Sequence, residues 1–134
     1  MWSKLIRRER RSEERYPVSV PATVIFLGSA ETTDEQPLAA LGTTRDLSGK
    51  GVSVFVPSFP FGDDPTEGQR ALKIIFALPV GYVIVWARLV WHKQAPAERP
   101  EIGHLLAAQI TEMSDTDRAL YHEYLHVLAR ESKP

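Results

Sequence analysis

The chain has 134 residues, 43% apolar and 25% charged, with no cysteine; this is the size and balance of one globular domain with a real core, and it excludes a disulfide framework and thiol chemistry. The formal net charge of −1 conceals an asymmetry: residues 1–15 carry six basic and three acidic side chains, leaving ten basic and fourteen acidic on the rest. A basic arm on a mildly acidic body suits a small anionic ligand better than a nucleic-acid track.

In chain order, residues 1–14 read as a flexible, arginine-rich arm whose large apolar side chains are Trp2, Leu5 and Ile6. They have no apolar core of the kind a secretory signal needs. Val18, Val20, Ala22, Val24 and Phe26 alternate, so about 16–27 is a strand. Pro17 and Pro21 assign its start to a sheet edge, because proline cannot donate to a ladder. Residues 28–37 are small and polar, a loop. A second strand is expected at about 39–47, and Val52, Val54 and Val56 mark a third. Residues 57–69 hold three prolines and two glycines and read as a loop. Ala71–Leu78 and Tyr82–His92 are strand-like and joined by a hairpin turn at Pro79-Val80-Gly81. After a break at 95–100, Gly103–Thr111 is a last strand, although Leu105 to Ala108 would also tolerate helix. Ser114 is a good helix N-cap, with Asp117 three residues on as in a capping box. Leu120, Tyr121, Tyr124, Leu125 and Leu128 then share one face of a helix over 115–131, covering apolar surface on the sheet or on a partner. No stretch is apolar enough to span a membrane; the longest candidate, Ala71 to Trp91, is interrupted by Lys73, Pro79, Gly81 and Arg88. Six short strands, Gly/Pro turns and one terminal helix predict a small antiparallel barrel. The expected organisation is an arm over 1–14 and a barrel domain over 15–132.

Two short motifs stand out. Asp46-Leu47-Ser48-Gly49-Lys50-Gly51 reads D-x-S-x-x-G, and Arg11 with Arg15 reads R-x-x-x-R. Each alone has an ordinary explanation: Asp, Ser and Gly are common turn formers, and an arginine cluster is usually a solvated charge run. Their joint order, their spacing and the strand between them resemble the signature of PilZ domains, bacterial receptors for cyclic di-GMP. The resemblance runs from about Arg10 to Arg130. Arg7 and Arg11 also satisfy R-x-x-x-R, but Arg15 directly precedes the first strand, as the family's second arginine does.

The resemblance implies a six-stranded antiparallel β-barrel with a C-terminal helix, and a cytoplasmic receptor for cyclic di-GMP rather than an enzyme, with no cofactor beyond that ligand. Carried over residue by residue, it nominates Arg10, Arg11, Arg15, Asp46, Ser48 and Gly51 as ligand-binding. Trp91, in Ala87-Arg88-Leu89-Val90-Trp91, joins them through a looser match; it is either barrel core, the favoured reading, or a ring offered to a base. Arg10, just before the motif, would suit a stacked pair of dinucleotides, which demands more cations than a single molecule. The residue types fit the ligand. A guanidinium binds phosphate bidentately, pairs with guanine O6 and N7, or stacks on a base. A carboxylate accepts from the guanine N1–H and amine, a hydroxyl adds a bond, and glycine permits close approach or positive φ. The implied mechanism is ordering of the arm over the barrel, altering the surface seen by a downstream protein partner. The expected molecule is a monomer or weak dimer without a nucleic-acid polymer.

Other readings are weaker. A nucleotide-independent PilZ-like adaptor is the runner-up, opposed by the intact motifs. A small-barrel RNA-binding protein is opposed by the acidic body. His122-Glu123-Tyr124-Leu125-His126 matches the H-E-x-x-H of zinc proteases, but the histidines lie opposite the apolar stripe, and eight residues remain for a third ligand. A surface histidine pair is the better reading. His92 and His104 read as isolated structural residues, and Asp63-Asp64 as solvated.

Overall fold

The structure is a computed structural model, described here for residues 14–27, 38–57, 70–94 and 103–132. Among these residues seven strands precede one helix: β1 Tyr16–Pro17, β2 Pro21–Phe26, β3 Leu38–Leu47, β4 Gly51–Val56, β5 Ala71–Leu78, β6 Gly81–Gln94, β7 His104–Glu112 and α1 Asp115–Glu131. Every pairing is antiparallel, in the order β3-β2-β5-β6-β7-β4, and β4 pairs again with β3. The sheet thus closes into a six-stranded barrel, in which each of the six strands has a neighbour on both sides. The expected loops at 28–37 and 95–100, and nearly all of that at 57–69, lie outside the described residues.

Alternation builds the interior. Ala22, Val24, Phe26, Ile74, Phe76 and Val85 are among the buried side chains that point inward from successive strands. Two prolines behave as expected: Pro17 pairs with β3 alone, and Pro21 precedes the start of the β2–β5 ladder. The hairpin after β5 closes on Leu78 and Gly81, where Gly81 takes φ +138°, a conformation that favours glycine. Residues 104–112 are strand, not helix, because they form ladders with both β4 and β6.

The expected single strand over 16–27 is instead broken at 18–20. There the Thr44 hydroxyl of β3 takes two of the backbone's hydrogen bonds, accepting from the Val20 N–H at 3.0 Å and donating to the Val18 carbonyl at 2.5 Å. The Val18 N–H still donates to the Arg45 carbonyl, and the Thr44 N–H to the Val20 carbonyl. A β-branched hydroxyl, buried at this seam, satisfies groups the interrupted ladder leaves over.

Helix α1 packs its Tyr121, Tyr124, Leu125 and Leu128 face onto the barrel. The Ser114 hydroxyl caps it, accepting from the Asp117 N–H at 3.1 Å. The reciprocal half of the capping box is absent here; the Asp117 carboxylate accepts from the Ile84 N–H of β6 at 3.3 Å instead, tying helix to barrel. No described helix is long and apolar enough to cross a membrane.

Candidate functional site on the outer face of the barrel

Registers assemble a row of residues across four strands. Asp46 of β3 pairs with Ser53 of β4, Ser53 with Ala107 of β7, and Ala107 with Trp91 of β6. Their neighbours Val52, Val54, Leu106 and Leu89 fill the interior, so the row lies on the outside. Both ends of it reach that side through a β-bulge. In β3, Thr44 pairs with Val54 and Asp46 with Ser53, leaving Arg45 as the extra residue. In β6, Leu89 pairs with Ala108 and Trp91 with Ala107, leaving Val90 extra. A bulge reverses the alternation beyond it and re-aims the next side chain. Trp91 is consequently 40% exposed and is not barrel core, contrary to the favoured sequence reading.

Arg15 enters from the segment just before β1. Its Nη1 donates to Asp46 Oδ1 at 2.7 Å and lies 3.4 Å from Ser53 Oγ. On the other side of the same carboxylate, Arg45 Nε donates to Oδ2 at 3.1 Å. Both carboxylate oxygens are therefore engaged by guanidinium groups, in a charge-assisted arrangement.

The turn between β3 and β4 is held by its own serine. Ser48 is buried; its hydroxyl accepts from the Gly51 N–H and donates to the Gly51 carbonyl, each at 3.0 Å, while the Ser48 N–H donates to that carbonyl at 2.9 Å. The Tyr121 hydroxyl of α1 adds a 2.6 Å bond to the Ser48 carbonyl. Burial raises the Tyr121 pKa far above its usual value, an effect larger than the opposing influence of that bond. Gly51 sits in a tight fit without a positive φ: a Cβ there would lie 3.1 Å from the Ala108 carbonyl oxygen and 3.6 Å from Arg15 Nη2.

Between the turn and β6 lies a cleft of about 200 Å³, lined by Arg15, Ser48, Lys50, Gly51, Trp91 and Gln109 among others. The structure thus brings Arg15, Ser48, Gly51 and Trp91 to one cleft, with Asp46 behind Arg15. Arg10 and Arg11 lie outside the described residues. Arg45, Ser53 and Gln109 were not legible as site residues. Ser53 alone offered a signal, as a small polar residue inside a valine alternation. Gln109 accepts from the Arg88 guanidinium at 2.8 Å on the cleft's rim.

The histidines divide differently from expectation. His122 and His126 are both exposed, as a surface pair should be. Among the described residues no three His, Cys, Asp or Glu side chains cluster as metal ligands. His92 and His104 are not isolated: His92 Nδ1 and His104 Nε2 are 2.9 Å apart.

This barrel, helix and turn are matched by the family model for the PilZ domain over residues 9–126, and the chain belongs to that family. No curated protein matches it. Solved structures with the same fold include the following three. The PilZ domain of YcgR from Escherichia coli, solved with c-di-GMP, matches at TM-score 0.62 and 17% identity, covering 92% of this chain and 94% of that one. The PilZ domain of CeSA from a cellulose-synthesizing bacterium matches at 0.56 and 20%, covering 87% and 98%. The Bacillus subtilis inhibitor of motility MotI/DgrA matches at 0.62 and 15%, covering 92% of this chain and 53% of that one, so the chain spans about half of that protein.

Proposed function

We propose that this chain is a receptor for cyclic di-GMP and not an enzyme. The observation that carries the proposal is the convergence of Arg15, Gly51 and Trp91 on one cleft, backed by Asp46, in a PilZ domain. The YcgR neighbour, solved with this ligand, supports the same reading. Arg15 is the phosphate or guanine contact, exchanging its hold on Asp46 for the ligand. Trp91 offers an exposed ring to a base. Gly51 keeps the turn thin enough for the ligand to approach. Ser48 acts indirectly, by fixing the turn. Arg10 and Arg11 supply further cations from the arm, which folds over the barrel as ligand binds and changes the surface presented to a protein partner.

Isothermal titration calorimetry with cyclic di-GMP, with GMP and cyclic di-AMP as controls, tests this. Saturable, selective heat is expected, with a stoichiometry that reports one ligand or a stacked pair. No heat and no thermal stabilisation by excess ligand would replace the receptor with a nucleotide-independent adaptor.

A further inference from the structure

Asp46 is shared by two arginines, and their charges do not balance. Arg15 and Asp46 alone form a neutral pair, which attracts an anion weakly. Arg45 leaves the trio with one net positive charge. We infer that Arg45 is a positioning residue of the binding site that acts through Asp46; the inference rests on the receptor reading above.

Three observations converge on it. Arg45 is the extra residue of the β3 bulge, which is what allows two consecutive side chains, its own and that of Asp46, to meet on the same side. The Asp46 side chain is only 10% exposed, so its carboxylate is poorly screened. When a phosphate draws Arg15 away, that carboxylate would face the incoming anion uncompensated, which opposes binding. Arg45, bonded to the second carboxylate oxygen, stays behind as its counter-charge. Finally, neither Asp46 nor Arg45 is among the side chains lining the cleft, so Arg45 serves from behind rather than as a ligand contact. At 44% exposure its ion pair contributes little to folding. Its value lies in the liganded state.

The test is calorimetric titration of cyclic di-GMP into the full chain at low and high salt, with wild type, R45A, R45K, D46N and R45A/D46N. We expect R45A to bind roughly tenfold more weakly, the scale of one charge-assisted contact, with a shallower salt dependence and an unchanged melting temperature. R45K, which keeps the charge, should recover most of the affinity. In the D46N background, where no carboxylate needs a counter-charge, removing Arg45 should matter little. Wild-type affinity in R45A would overturn the inference. So would a tenfold weakening that persists undiminished in D46N, since Arg45 would then act without Asp46. Absence of saturable binding by the wild type would overturn the receptor reading itself, and this inference with it.

Discussion

The barrel has two sides built to different rules. Around β2 and β5 the ladders run without a register shift, from β3 through to β6, and inward and outward residues alternate without interruption. On the side of β4 and β7, the flanking ladders to β3 and β6 are both bulged. Both sides contribute to the core, but outwardly the regular side shows apolar side chains such as Leu41, Ile84 and Trp86. The bulged side carries the row from Asp46 to Trp91 and the arginines. Uninterrupted pairing maximises burial; a bulge gives up a ladder position and gains control over where a side chain points.

Substitutions can break this division, and the largest effect belongs to the regular side. Ile74→Ala, at a fully buried position, should lower stability by about 2–5 kcal/mol in urea titration while leaving the cyclic di-GMP affinity of the folded protein unchanged. A parallel drop in affinity would mean the two sides are not separable. On the bulged side, Arg15→Ala should weaken ligand binding about a hundredfold, because it removes both a charge-assisted hydrogen bond and the orientation that bond imposes on the ligand. Its melting temperature should barely move, because the Arg15 side chain is 52% exposed. Trp91→Ala should weaken binding about tenfold, the scale of one base–aromatic stack, checked by the same titration; an unchanged affinity would return Trp91 to a purely surface role. The smallest effect tests the seam between the regions. Tyr121→Phe leaves the buried Ser48 carbonyl without its donor and should cost about 1 kcal/mol.

That last variant also has a pH signature. The folded state raises the Tyr121 pKa, so it holds the phenol proton more tightly than the unfolded chain does. The stabilisation is complete below the unfolded value of about 10 and is lost as pH climbs above it. Wild-type stability should therefore fall above about pH 10, and the Phe variant should fall less steeply in alkaline denaturation curves.

Much of the barrel was legible because alternation is local. Ala22, Val24 and Phe26, or Val52, Val54 and Val56, announce their faces by spacing alone, and Ser114 announces the helix start. Trp91 was not legible for the same reason that makes alternation useful. Counting by twos from Val83 through Leu89 puts it inside, and only the bulge at Val90 turns it out. Arg45 was hidden likewise, since adjacent strand residues normally face opposite ways. The break at Val18–Val20 depends on a hydroxyl 24 residues away from Val20, at Thr44, an interaction that no local pattern encodes. The motif's residues were legible, but the division of labour was not: Ser48 faces its own turn, and Asp46 holds arginines.

Closure of the sheet also restricts how another protein can attach. Among the described residues, main chain paired on one side alone occurs in β1, where Pro17 has no N–H to offer, and at strand ends such as residues 38–42 of β3 and residues 81–85 and 90–94 of β6. A visiting strand could pair only with such short ends, so among the described residues the middle of the barrel wall offers nothing to recognition by backbone addition. A partner that docks on that wall must read side chains: their charges, their exposed rings, and the contour that α1 and the β3–β4 turn make together.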